Sequence, residues 1–350
     1  MAKPTIANVA ELAGVSQATV SRALRGATNV TEETRIKVQR AADQLNFTLS
    51  KSASALASGK TMRVILLVSG KLNEWFNSGV FQGVYEELAP VGYDVTPAFI
   101  TDRSELDRFF SQLPKSRNAD AIIISSFQLM PAMRDQLQAI DLQTVGVNVP
   151  AESGYFDASI SIDNSSAMTM AVRLLRSLGH TNIAFCSDYI PAGMVYNTSQ
   201  RTQAFADAAQ ANATDGITFS LLTADAHDAP LSKSDLASQL TAKLLSLPER
   251  PTAVCVETDQ VAIALVKELR KQQLNVPEDI SVLGFDDAEI AQAADLSTIR
   301  QEPIELGRIA GRKVLQLLRN EPLEHPHELQ DPLLVLRNCL LYTSPSPRDA

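Results

Sequence analysis

Between Ala10 and Leu24 the sequence reads AELAGVSQATVSRAL. Behind its glycine, Ser16, Gln17, Thr19, Ser21 and Arg22 crowd hydrogen-bonding side chains into a nearly uncharged stretch. The chemistry on offer is recognition rather than bond making. Gln17 can pair with adenine, Arg22 can fork onto guanine, and Ala18 can meet a thymine methyl. Thr5, Ser16, Thr19 and Ser21 carry short hydroxyls suited to phosphate oxygens.

Reading base edges needs a rigid helix, and the flanking residues supply one. Thr5 can cap a helix from about Ile6 to Leu12, with Ile6, Val9, Ala10 and Ala13 on one face. Gly14 suits a tight turn that needs positive φ. Ser16 caps a second helix, about Gln17 to Arg25, which buries Val20, Ala23 and Leu24. Thr31 caps a third, Glu32 to about Leu45, with Ile36, Val38, Ala41, Ala42 and Leu45 available for a core. This is a helix-turn-helix pattern whose second helix would enter the major groove. The alternative is a plain helical hairpin whose Ser and Thr only cap. The Ala10, Gly14 and Val20 spacing, together with local charge, argues against it.

The formal net charge of −9 hides an asymmetry. Residues 1–60 hold eight Lys and Arg against four Asp and Glu, a formal +4, which leaves −13 for the rest. A basic head on an acidic body favours one orientation toward phosphates. The chain has 350 residues, enough for two or three domains. It has no apolar run long enough to span a membrane and no signal-peptide pattern at its start, so a cytoplasmic protein is expected. Cys186, Cys255 and Cys339 read as buried reduced thiols, and four scattered histidines offer no metal-ligand spacing. No cofactor is expected.

From Arg63 the pattern alternates between apolar strands and amphipathic helices: RVILLVS, AIIIS, TVGVNV and ASISI, then, after Asp163, NIAFCSD, ITFSLLT, TAVCVE and SVLGFDD. Strands so uniformly apolar belong to parallel sheets covered on both faces, here in two halves. Ligands of such sheets bind beyond the carboxyl ends of the strands. That makes Asn73, Trp75 and Phe76, then Asn148, Thr258, Asp259 and Asp286, the candidate pocket residues. An aromatic among polar groups suits stacking on a sugar face. Asp259 and Asp287 each precede a helix and read as caps. There is no phosphate loop, no nucleophile elbow and no convergent acid–base pair, so no enzyme is expected.

The stretches TIANVAELAGVSQATVSRAL, NVTEETRIKVQRAADQLNF and PTAVCVETDQVAIALVKELRKQQLNVPEDISVLGFDDAEIA resemble the LacI/GalR family of bacterial transcription regulators. The resemblance runs through the head and the body. It implies a helix-turn-helix head (1–48), a hinge-helix linker (49–61) and a body like the periplasmic binding proteins (62–338), made of two parallel-sheet subdomains. The first subdomain is placed at about 62–161 plus 291–321, the second at about 162–290 plus 322–338. It implies that a hinge helix pushes Leu56 into the minor groove beside the small Ala53, that Arg201 clamps an effector, that Thr258 is a polar pocket position and that Asp286 accepts ligand hydroxyls. It implies a homodimer on a near-palindromic operator in double-stranded DNA, released or tightened by a small molecule, a mono- or disaccharide by family habit, with a minority using a purine corepressor. Two departures stand out: Leu49 replaces a proline that often precedes the hinge helix, and Ala204 replaces a glycine in RTQAF. Residues 339–350 look like a foreign or disordered tail. A pure solute-binding protein is the competing reading; it would need a leader and no basic head.

Overall fold

The computed structural model describes residues 4–24, 29–47, 60–116, 118–149, 154–190, 193–226 and 231–341. Ala53 and Leu56, residues 49–59 of the linker and residues 342–350 lie outside the described residues. The start of the expected tail instead belongs to the body: Cys339 is buried in its core, and the Leu341 N–H donates to Ser281 Oγ at 2.9 Å, bonds to a strand distant in sequence that a local reading does not show. The chain divides into a unit at residues 1–62 and a unit at residues 63–350.

In the first unit, helix α1 (Ile6–Ala13) starts at a reciprocal cap: the Thr5 hydroxyl accepts the Asn8 N–H, and Asn8 Oδ1 accepts the Thr5 N–H at 3.0 Å. Gly14 closes the helix at φ 68°. A Cβ there would touch nothing within 4 Å, so backbone conformation alone selects glycine. Ser16 Oγ then accepts the Thr19 N–H at 3.1 Å and opens α2 (Gln17–Leu24). Thr31 caps α3 (Glu32–Gln44), with Glu32 and Glu33 favourably placed at the positive end of its dipole. Val9, Ala10, Val20, Ala23, Val38, Ala41 and Ala42 form the shared core. Ile36, expected inside, is 44% exposed. It sits two residues before the buried Val38, which turns it about 200° to the outer side of the helix.

The second unit contains two six-stranded sheets. The first runs β2 (Asp94–Ile100), β1 (Arg63–Ser69), β3 (Ala121–Ser125), β4 (Gln143–Val147), β5 (Ala158–Ile162) and β11 (His327–Gln330), all parallel. The second runs β7 (Thr218–Thr223), β6 (Asn182–Ser187), β8 (Ala253–Val256), β9 (Ser281–Asp286), β10 (Thr298–Arg300) and β12 (Leu333–Val335). Only the last pair there is antiparallel. Central strands such as Ala121–Ser125 and Ala253–Val256 are buried at every position, as sheets covered on both faces require.

The chain crosses between sheets three times, and the last crossings depart from the expected subdomain boundaries. Strand β10, within 291–321, belongs to the second sheet, and β11, within 322–338, belongs to the first. These strands have three and four residues. That is too short to display a hydrophobic period, so their sheet is set by pairing alone.

Helix α4 (Trp75–Leu88) packs on α12 (Pro303–Leu318) along a seam of glycines. A Cβ on Gly83 would lie 2.0 Å from the Ile304 carbonyl oxygen, and one on Gly307 would lie 2.3 Å from that of Val80. The obstacles are backbone and cannot swing aside. Gly83→Ala is therefore expected to destabilise the body by about 3 kcal/mol or more, read as a lowered urea midpoint. A midpoint equal to wild type would show that the two helices can part at no cost. Arg308 with Glu86 and Arg312 with Glu87 flank the seam at 2.7 and 2.8 Å, exposed pairs that add little.

Candidate nucleic-acid face and ligand cleft

In the head, Gln17, Ala18 and Arg22 are exposed on α2, and Thr19 and Ser21 are half-buried. Their spacing puts Gln17, Ala18, Ser21 and Arg22 on one side of the helix. Arg22 Nε donates to the Ala18 carbonyl at 3.2 Å, which steers the side chain along that side. Thr5, Ser16 and Thr19 hydroxyls are engaged first in capping: Thr5 Oγ1 donates to Asn8 Oδ1 at 2.7 Å, and Ser16 Oγ lies 2.9 Å from Thr19 Oγ1.

In the body, a pocket of about 200 Å³ opens where the carboxyl ends of both sheets face each other. Ser69 ends β1 and Asp286 ends β9, while Ser126 and Asn148 directly follow β3 and β4. Three of them hold left-handed or related backbone, at φ 74° for Ser126, 51° for Asn148 and 128° for Asp286. Non-glycine residues in such conformations cost of order 1–3 kcal/mol and cluster at ligand sites. Thr258 caps α10 (Asp259–Lys271) and Phe76 sits in the first turn of α4; both line the pocket.

Arg201, from α8 (Asn197–Ala211), is 2% exposed. Its Nη1 donates to the Glu257 carbonyl at 2.5 Å and lies 3.8 Å from Asp286 Oδ1; the guanidinium carbon is 3.6 Å from the centre of the Phe285 ring. Two amide relays radiate from this pair, and donor–acceptor logic fixes their orientation. Arginine can only donate, so Asn164 gives its oxygen to Arg201 Nε at 3.3 Å and its amide nitrogen to Asn197 Oδ1 at 2.7 Å. Asn197 is left with an Nδ2 that has no partner among the described residues. Ionised Asp286 can only accept, so Gln301 gives Nε2 to it at 2.6 Å and takes the Asn148 Nδ2 on its oxygen at 2.9 Å. Asn148 Oδ1 then accepts the Ile162 N–H. The second relay ties the two lobes together beside the pocket. So does a short bridge at Phe127 and Tyr196, where the Asn197 N–H donates to Ser126 O at 3.0 Å and the Gln128 N–H to Val195 O at 2.9 Å.

Of the residues singled out from sequence, Phe76, Asn148, Arg201, Thr258 and Asp286 line this pocket, while Asn73 and Trp75 do not. Asn73 is exposed on the loop, and Trp75 opens the helix one position before Phe76, rotated about 100° from it. Asp259 is not the helix cap; Thr258 is, its hydroxyl accepting the Val261 N–H. Asp259 instead accepts Thr298 Oγ1 at 2.6 Å and the Ala288 N–H at 3.0 Å, bracing the end of β9. Asp287 does not cap the next helix either. It holds Arg300 at 2.6 Å and Arg337 at 2.7 Å. Sequence reasoning missed Ser69, Glu74, Asn77, Ser126, Tyr196, Asn197, Thr198 and Gln301. The one available signal was position: several fall in the first turn of a helix that follows a strand.

Burial raises the carboxyl pKa of Asp259 and of Asp286, though Arg201 draws Asp286 back. Burial, then the nearby Asp188 charge, pushes Glu257 up to about 7. In the unfolded chain a Glu titrates near about 4.3. Between those values the folded state holds the extra proton, so this stabilisation is complete below about pH 4 and is lost as pH rises through 7. The melting temperature of the body should thus fall from about pH 5 to about pH 8, by roughly 2–3 kcal/mol of stability from Glu257. Glu257→Gln should reduce that slope, leaving the share of Asp259 and Asp286, and an unchanged slope would assign it wholly to those two carboxyls.

Among the described residues no group of three or more His, Cys, Asp or Glu could hold a metal, and no helix is long and apolar enough to cross a membrane. The three cysteines are free and buried.

Comparison with known proteins gives matches along nearly the whole chain. Residues 5–50 match the model of "Bacterial regulatory proteins, lacI family", and residues 172–339 that of a "Periplasmic binding protein-like domain". The HTH-type transcriptional repressor PurR of Vibrio campbellii is 30% identical over 341 residues, covering 96% of this chain and 98% of that protein. The ribose operon repressor of Haemophilus influenzae is 26% identical, with 96% and 98% covered. A crystal structure of the Lac repressor dimer bound to operator and the anti-inducer ONPF superposes with a TM-score of 0.81 at 24% identity, covering 97% of this chain and 100% of that one. These relatives are regulators rather than enzymes. With a helix-turn-helix head, a two-sheet body holding a polar cleft, and a relative 30% identical over 96% of its length, the chain belongs to the LacI family of bacterial regulatory proteins.

Proposed function

We propose that the protein is a cytoplasmic transcriptional repressor that binds a near-palindromic operator as a homodimer and changes its operator affinity when a small hydroxylated molecule enters the cleft. The observation that carries this reading is the origin of the pocket lining: Ser69, Ser126 and Asn148 come from the first lobe, and Asn197, Arg201, Thr258 and Asp286 from the second. A ligand touching both biases the angle between lobes, which is the differential contact an effector needs. Gln17, Ala18 and Arg22 read base edges; Thr5, Ser16, Thr19 and Ser21 meet phosphates; Ala53 and Leu56 of the linker act in the minor groove. The cleft, at about 200 Å³, is smaller than the roughly 300–1,000 Å³ of drug-sized sites. A single sugar ring suits it better than a disaccharide.

The PurR-named relatives favour a second reading, a purine base stacked on Phe76 and acting as corepressor, with the opposite sign on DNA binding. Selection of random duplex DNA on the purified protein, with and without sugars and purine bases, tests both. A palindrome lost when a sugar is present supports the first reading; one recovered only with a purine supports the second. No enrichment under any condition would overturn the assignment of the head.

A further inference from the structure

Among the described residues, three charged side chains line the cleft: Glu74, Asp286 and Arg201. The cation is already engaged. Arg201 Nε goes to Asn164, Nη1 goes to the Glu257 carbonyl, and Asp286 lies within 3.8 Å. Behind it stand the buried carboxyls of Glu257 and Asp259. Lys233 acts on Glu257 and Asp286 from outside the lining. Helix N-termini normally attract anions. Here α4 begins at Glu74, whose carboxylate makes no bond to its own helix and leans over the preceding loop, where a Cβ on Gly70 would come within 2.9 Å of it. That carboxylate sets a negative charge in the lining beside the helix start. At the start of α8 the first N–H, that of Asn197, is bound to Ser126 O. The rest of the lining is polar and neutral or aromatic, and includes the Asn197 amide donor, which has no partner among the described residues, the Thr258 and Tyr196 hydroxyls, which accept from the Val261 N–H and Ser69 Oγ and still carry a proton to donate, and the Phe76 ring.

We infer that the cleft selects an uncharged, hydroxyl-bearing ligand and excludes its phosphate ester, with Glu74 as the excluding residue and Asn197 as a donor to a ligand oxygen. The inference rests on the proposed effector role of the cleft. A neutral sugar leaves Glu74 and Asp286 as acceptors for its hydroxyls. A phosphate would meet Glu74, while the one cation of the described lining, Arg201, already has the Asp286 carboxylate beside it at 3.8 Å.

Titration calorimetry on the full-length protein, with common pentoses and hexoses and the monophosphate ester of each, tests this. A parent sugar should bind at least about tenfold more tightly than its ester. Glu74 is exposed, so Glu74→Gln should fold normally and narrow that gap by about tenfold, mainly by strengthening the ester. Asn197→Asp keeps the acceptor for Asn164 and loses the donor, and should weaken the parent sugar by about tenfold or more. An ester that binds as tightly as its parent overturns the inference and leaves the effector role of the cleft intact. So does a gap unmoved by Glu74→Gln, for Glu74. Silence of both series overturns it too; the DNA selection, made without reference to charge, decides the repressor reading separately.

Discussion

Arg201→Ala should cost the body about 3–5 kcal/mol and abolish its response to ligand. The guanidinium is 2% exposed and stands between Asp286 and the Glu257 carbonyl, over the Phe285 ring. Removing it leaves Asp286 and Asp259 buried side by side without a compensating charge, and it releases Asn164 from the relay to Asn197. Part of the loss will be recovered at low pH, because those carboxyls can then protonate. Arg201→Lys should not restore wild-type stability. An ammonium cannot lie flat on Phe285 while donating to both Asn164 and Glu257. Denaturant melts at about pH 5 and pH 8 for wild type and both variants would check this. If Arg201→Ala melted like wild type at both, the pair would be incidental to the fold.

The second large effect is expected in the head. Arg22→Ala should remove one base contact per half-site. At about 1–3 kcal/mol each, two copies make a loss of roughly 2–6 kcal/mol, or from about thirtyfold to about twenty-thousandfold in preference for operator over random DNA. Val20 and Ala23 hold the helix in place and are untouched, so the fold should be preserved. A base contact and a phosphate contact differ in salt dependence. Losing the latter weakens all sequences alike and lowers the salt slope by about one. Fluorescence anisotropy on operator and scrambled duplexes at several salt concentrations separates the cases. Equal weakening on both duplexes would move Arg22 to the backbone.

Much of the architecture could be read before any coordinates because its signals are local. Thr5, Gly14, Ser16 and Thr31 mark helix ends through bonds that span three or four residues, and each does so in the structure. Runs such as AIIIS and AVCV declare a doubly covered strand. The pocket was legible wherever it follows a long strand, as at Asn148 and Asp286. It was hidden at Asn197 and Gln301, because what brings them together is pairing across 33 residues for Asn164 with Asn197 and 153 for Asn148 with Gln301. Asp259 and Asp287 show a subtler failure. A carboxylate before a helix reads as a cap, yet here each binds partners from a later strand, Thr298 for one and Arg300 for the other. Nothing within a short window reports those partners.

The glycine seam between α4 and α12 bears on how the first lobe moves. Interlocked side chains can trade rotamers and absorb a push in small increments. Where Gly83 and Gly307 bring main chain against main chain, there are no rotamers to trade. The start of α4 carries Glu74 and Phe76 at the cleft, while its far end carries Glu86 and Glu87 beside α12. A displacement at the cleft end must therefore reappear, undiminished, along the whole helix pair. In mechanical terms the lobe is a lever rather than a cushion.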